Sequence, residues 1–65
     1  MLEQLTPRQY ETLRLIGAGL STREIASALN LSTRTIETYK YRIAERLSLE
    51  KGTDLTKFVL RNNIL

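Results

Sequence analysis

The side chains with the most chemistry to offer lie between Thr33 and Ser48. At 100° per residue, Arg34, Glu37, Thr38, Tyr41 and Glu45 gather on one side of a helix, with Arg42 beside them and Tyr39 and Lys40 on the flanks. That set suits a polyanion with a patterned edge. A guanidinium binds phosphate or guanine, a threonine binds phosphate or packs on a thymine methyl, and a tyrosine offers a ring with a hydroxyl tip. Glu37 is the exception, because a carboxylate facing a polyanion is repelled unless it accepts from cytosine N4 or braces a neighbouring base. Its plainer role is a helix-surface pair with Arg34 or Tyr41, three and four residues away. Exposed helices are commonly charged whatever they do, which is account enough for Glu45 and competes with contact for Arg46. It does not account for Tyr41, since a large ring opposite an apolar stripe has no packing reason to be there within one copy of the chain.

The parts of an enzyme are missing. The 65 residues include no His and no Cys, so a disulfide framework, a Cys/His zinc site and the common nucleophile–base pairs are all excluded. There is no Gly-rich phosphate loop, and Glu24 and Glu37 read as a helix cap and a surface group rather than an acid/base pair. A chain of this length buries only about 60% of its unfolded surface, which leaves no room for a walled substrate cavity. No catalysis, cofactor or metal is expected. The longest apolar run is Phe58-Val59-Leu60, and Met1 to Gln4 lacks a basic region followed by an apolar stretch, so no signal peptide or membrane span is expected and the location expected is cytoplasmic. Ten Lys and Arg against seven Asp and Glu give a net charge of +3. Arg8 and Arg14 balance Glu3 and Glu11, so the whole surplus lies after Leu20. A basic excess on a small domain points to a polyanionic partner, of which nucleic acid is the commonest.

A helix start signal recurs three times along the chain. Thr6 can cap a helix with Pro7 at its first position, Gln9 reaching back to the cap, and Leu5 stapled to Tyr10. Ser21 and Glu24 form the same box, with Leu20 packing on Ile25; Ser32 repeats the cap, but Thr35 stands where Glu or Gln would complete it. The apolar spacing predicts helices over about 7–17, 22–29, 33–48 and 53–62, breaking at Gly17-Ala18-Gly19 and again at Gly52. Tyr10, Leu13, Ile16 and Leu20 form one stripe; Ile25, Ala26 and Leu29 the next. Ile36, Ile43 and Leu47 fall within about 40° of one another, and Leu55, Phe58 and Val59 face inward on the last helix. No window alternates at period two for long enough to argue a strand, so the class is all-α: one four-helix domain over residues 1–65.

Only Asn30, Leu31 and Ser32 separate the second and third helices. So short a turn forces a steep crossing, with Asn30 able to adopt the left-handed conformation and Ala26 small enough for close approach. Short helix, tight turn and longer polar helix make a helix-turn-helix. On that arrangement Glu37, Thr38 and Tyr41 are the expected base readers. Arg34, Lys40, Arg42 and Arg46, with Ser21, Thr22, Arg23, Thr33 and Thr35 near helix starts, are the expected phosphate contacts. On the last helix Thr53, Thr56, Leu60 and Ile64 form a narrow surface that one copy of the chain does not obviously bury, although a single exposed leucine is normal on any surface.

These residues as a set resemble the DNA-binding domain of the LuxR/FixJ (GerE-like) transcription regulators. The matching motifs are Leu5-Thr6-Pro7-Arg8, Gly19-Leu20-Ser21-Thr22-Arg23-Glu24-Ile25-Ala26, Leu31-Ser32 with Thr35-Ile36-Glu37, and Asp54-Leu55 to Arg61-Asn62. The resemblance implies a four-helix domain whose third helix enters the major groove of DNA. It further implies the C-terminal part of a response regulator or autoinducer receptor, dimerising through the fourth helix and regulating transcription. The partners expected are double-stranded DNA, a second copy of the chain on DNA, and RNA polymerase. The family commonly has Lys where Glu37 stands and His where Tyr39 stands, departures that bear on sequence preference rather than fold. Region four of a sigma factor shares the Leu-Thr-Pro-Arg opening, and a four-helix module binding an acidic protein is the alternative outside DNA binding.

Overall fold

The computed structural model describes residues 4–50 and 52–63, and in them four helices follow one another: α1 (Pro7–Gly17), α2 (Thr22–Leu29), α3 (Thr33–Arg46) and α4 (Leu55–Arg61). The three foreseen starts are all capped. Thr6 Oγ1 accepts from the Gln9 N–H at 3.1 Å while Gln9 Oε1 accepts from the Thr6 N–H at 3.0 Å. Ser21 and Glu24 close the second box at 3.1 and 2.7 Å. Ser32 accepts from the Thr35 N–H at 3.1 Å, and with no carboxylate to complete a box the Thr35 hydroxyl sits 2.9 Å from that of Ser32. A fourth cap escaped the sequence reading: Asp54 Oδ1 accepts from the Lys57 N–H at 3.2 Å, so α4 starts two residues later than expected.

The helix ends share one device. Gly19, Asn30 and Ser48 take left-handed conformations with φ of 94°, 58° and 57°. In each case the leucine that follows donates its N–H to the carbonyl five residues back: Leu20 to Leu15 at 3.2 Å, Leu31 to Ala26 at 2.8 Å and Leu49 to Ala44 at 2.8 Å. These bonds satisfy carbonyls that a helix terminus would otherwise leave unpaired, and they draw each leucine back toward its own helix. Leu20 and Leu31 pack on the core as a result. Ser48 explains why α3 stops at Arg46 rather than running to residue 48. Nothing in a serine's type announces a left-handed residue.

Two clusters of buried side chains make the core. Leu5, Leu13, Ile43 and Val59 form one, where α1 and α3 meet α4; Ile16, Ile25, Ala26 and Ile36 form the other, where the same two helices meet α2. Leu13 and Ile16 come from α1, and Ile36 and Ile43 from α3, so these two helices run through both clusters. The partly buried Leu55 of α4 touches both. Helix α1 packs against all three other helices, most extensively against α4. Thr12, fully buried on that helix, disposes of its hydroxyl by donating to the Arg8 carbonyl at 2.8 Å.

Gly17 belongs to α1 rather than to the break that follows it, and its lack of a side chain is a packing requirement. A Cβ there would lie 2.2 Å from Val59 Cγ1 and 2.8 Å from Val59 Cβ, and Val59 is itself fully buried. Gly17→Ala is therefore expected to destabilise by about 1–3 kcal/mol through overpacking, despite the better helix propensity of alanine. In a Val59→Ala background, which removes Cγ1 but keeps Cβ, the same change should cost less. Urea unfolding of the four chains checks this, and an equal penalty in both backgrounds would refute the contact.

Candidate nucleic-acid interface

Ile36 and Ile43 are completely buried, which fixes the rotation of α3 and so decides what it presents to solvent. Arg34, Glu37, Thr38, Tyr41, Arg42, Glu45 and Arg46 are all exposed, and the Tyr41 ring keeps 65% of its surface accessible. The outer face thus has the membership expected from residue spacing. Tyr39 is half-buried and packs on the α2 side of the core. Thr38 Oγ1 donates to the Arg34 carbonyl at 3.2 Å, which occupies its proton and leaves its methyl group as the distinctive feature it offers outward.

The start of α2 lies against α3, Thr22 touching Glu37 and Lys40, and the start of α3 is the N-terminal end of the same helix. Ser21, Arg23 and Thr33 are exposed, while Thr22 and Thr35 are half-buried. The Ser21 and Thr35 hydroxyls are already engaged in caps. In any α-helix the first amides have no intrahelical acceptor and carry the positive end of the dipole, so the backbone at Thr22-Arg23 and Thr33-Arg34 can still receive an anion.

One contact across the helix-turn-helix was not foreseen. Lys40 Nζ donates to Thr22 Oγ1, and Thr22 passes its own proton to Glu37 Oε1 at 3.1 Å. Lys40 also stands 3.9 Å from Glu37 Oε1. Glu37 therefore pairs with Lys40 and with a residue of α2, not with Arg34 or Tyr41. Thr22 lies fifteen residues before Glu37, beyond the reach of any helical spacing rule. Next to this bridge, a groove between α3 and the start of α4 is lined by the apolar Ile16, Ala44, Leu49 and Leu55 and by Glu37, Lys40, Tyr41, Glu45 and Asp54.

On α4, Leu60 is 60% exposed and is, with Tyr41, one of two large hydrophobic side chains at the described surface. Thr53 and Thr56 are half-buried. The Thr56 hydroxyl turns toward α1, 3.4 Å from the Ile16 carbonyl, and that of Thr53 turns back to the Glu50 carbonyl at 2.6 Å. Ile64, expected on the same surface, lies outside the described residues. Among the described residues no group of His, Cys, Asp and Glu is placed to hold a metal ion, and no helix is long and apolar enough to cross a membrane.

A short helix, a three-residue turn and a longer helix with a polar outer face, packed on a first and a fourth helix, define an all-α helix-turn-helix domain. The chain belongs to the luxR family of bacterial regulatory proteins, whose model matches residues 3–59. It is 41% identical over 61 residues to the uncharacterized response regulatory protein YgeK of Escherichia coli K12, covering 94% of this chain and 42% of that protein. It is 38% identical over 63 residues to the transcriptional regulatory protein TdiR of Thauera aromatica, covering 97% of this chain and 28% of that one. With the tetrathionate response regulatory protein TtrR of Salmonella typhimurium the identity is 40% over 55 residues, 85% of this chain and 27% of that protein. The chain thus spans less than half the length of these relatives. No solved structure gives a significant match. The family is one of DNA-binding transcription regulators, not of enzymes.

The cap at the start of α2 also sets the charge state of Glu24. The Ser21 backbone N–H, and then the Ser21 hydroxyl, hold its carboxyl below the usual carboxylate range. A folded-state value below the unfolded one means that the box adds stability at neutral pH and loses it as pH falls through the folded value. Glu24→Gln keeps an acceptor for the Ser21 N–H, as Gln9 does for Thr6 in α1, but removes the titration. Thermal melts between about pH 7 and pH 3 should fall more steeply for the wild type than for Glu24→Gln. Parallel curves would separate the box from the acid response.

Proposed function

We propose that the domain binds double-stranded DNA sequence-specifically, with α3 in the major groove, and serves as the output part of a response regulator. The observation that carries this reading is Tyr41. It is a large ring 65% exposed on the helix whose opposite face is fully buried, flanked by exposed arginines. In this reading Glu37, Thr38 and Tyr41 meet base edges, Thr38 through its methyl group against a thymine methyl. Arg34, Lys40, Arg42 and Arg46 contact phosphates, and the starts of α2 and α3, with Ser21, Thr22, Arg23, Thr33 and Thr35, receive phosphate at their free amides. The names of YgeK and TtrR as response regulatory proteins support the output role. RNA polymerase is the further partner of a regulator acting in that way.

Selection of preferred duplexes from a random pool tests the reading. It should enrich one half-site, repeated in inverted orientation at a spacing near one helical turn, about 10 base pairs. Tyr41→Ala and Thr38→Ala should each cost about 1–3 kcal/mol at the preferred site and relax one or two positions, while Thr38→Val keeps the preference because it keeps the methyl. Arg42→Ala should weaken all sequences alike and reduce the salt slope by about one. Unchanged selection in both alanine variants, or an Arg42 effect confined to one sequence, would contradict these roles.

The exposed Leu60 supports pairing of two copies through α4, together with Thr53, Thr56 and Ile64. So small a patch suits a domain that is monomeric alone and pairs on DNA, where two bound copies raise each other's effective concentration. Leu60→Glu should leave the helical content intact by circular dichroism and abolish cooperative binding to a duplex with two half-sites. Retained cooperativity would put the interface elsewhere.

A further inference from the structure

Glu37 is the one carboxylate on α3 that is tied to another helix. The bridge it belongs to has a fixed direction. Lysine has only protons to give, so Thr22 Oγ1 must accept from Lys40 Nζ, and the single hydroxyl proton of Thr22 is then committed to Glu37 Oε1. The Lys40–Glu37 separation of 3.9 Å brings a positive charge against the carboxylate. Both contacts fall on Oε1, and no described residue donates a hydrogen bond to Oε2. The Glu37 side chain nevertheless remains 65% exposed, against 32% for Lys40. The result is a carboxylate whose charge is compensated by Lys40, whose rotation is restrained from α2, and whose second oxygen takes no described donor on a side chain that stays largely exposed, on the helix that carries Thr38 and Tyr41.

We infer that Glu37 is the specificity-determining residue for one cytosine of the target, with Thr22 and Lys40 as its positioning residues. This rests on the duplex-reading role proposed above. A carboxylate can only accept, and in the major groove the exposed donors are the amino groups of cytosine and adenine. Adenine sets its N7 acceptor beside that amino group and guanine offers two acceptors, so both place a lone pair against the carboxylate. Cytosine does not. Lys40 removes the penalty that the backbone phosphates would otherwise impose on Glu37, and Thr22 holds the carboxylate so that Oε2 is the oxygen presented. The Thr22 hydroxyl then acts through Glu37 while its amide stays free for phosphate, and a part of α2 outside the reading helix helps to choose the base.

Selection from a random duplex pool with Glu37→Gln, Thr22→Val and Thr22→Ser tests this. The wild type should fix a cytosine at one position of the half-site. Glu37→Gln should exchange it for adenine, which a carboxamide meets with one acceptor and one donor, changing the relative affinity for the two bases by about tenfold or more. Thr22→Val should flatten that position alone, and Thr22→Ser, which keeps the hydroxyl, should restore it; a merely structural role for Thr22 would not single out one base pair. Should Glu37→Gln leave every position unchanged while the wild type still enriches a sequence, the inference falls and the DNA-binding reading stands. Failure of the wild type to enrich any duplex overturns both. If Glu37→Gln exchanges the base but both Thr22 variants match the wild type, the positioning by Thr22 is refuted.

Discussion

The contact between Gly17 of α1 and Val59 of α4 leaves no room for a single added carbon, and the rest of the domain is arranged around the helix that makes it. Helix α1 packs against every other helix, most extensively against α4. Through Leu13 it joins the cluster shared with α3 and α4, and through Ile16, one turn further on, the cluster shared with α3 and α2. A 65-residue chain without cysteine or histidine has no disulfide or Cys/His zinc site to hold its helices together. What it has is a short helix used on several sides, which requires a residue as small as glycine where two backbones come closest. Because Ile36 and Ile43 of α3 are buried in the same two clusters, the rotation of α3 follows from this packing. The polar face that α3 presents to solvent is thus a consequence of what α1 buries.

Most of that arrangement was legible in the residues. Thr6, Ser21 and Ser32 announced three helix starts because cap chemistry is local, and each is found with the amide partner its spacing implied. Asn30 announced a left-handed turn because asparagine tolerates that conformation. Where the reading went astray, the physical reason lay beyond residue type. Ser48 is left-handed without being a residue that favours it, and only the Leu49 bond to Ala44 marks the end of α3. Asp54 caps α4 next to Gly52 and Thr53, where a glycine break drew attention away from the cap. Gly17 looked like the start of a loop and is instead a contact, because its partner lies 42 residues away in the chain and no local pattern contains it.

The polar face shows the same division between local and distant information. Periodicity was enough to collect Arg34, Glu37, Thr38, Tyr41 and Arg42 on one side of α3, since that follows from the position of Ile36 and Ile43. It could not say that the Thr38 proton is spent on the Arg34 carbonyl, or that Glu37 is engaged by a hydroxyl from α2. These contacts change what each group can do. A threonine with its proton occupied presents chiefly a methyl, and a carboxylate compensated by Lys40 becomes tolerable beside phosphate. The helix-turn-helix is in this sense one unit, with chemistry on α3 conditioned by the first residue of α2.

On the function proposed, one continuous surface, the outer face of α3 and the starts of α2 and α3, receives DNA. Amide chemical-shift mapping tests it most directly, by titrating an isotope-labelled chain with a duplex carrying the selected half-site and following each backbone N–H. The largest changes should fall at Ser21 to Arg23 and from Thr33 to Arg42, with the α1 amides from Arg8 to Ile16 little affected. Changes centred on α1, or confined to α4, would contradict it.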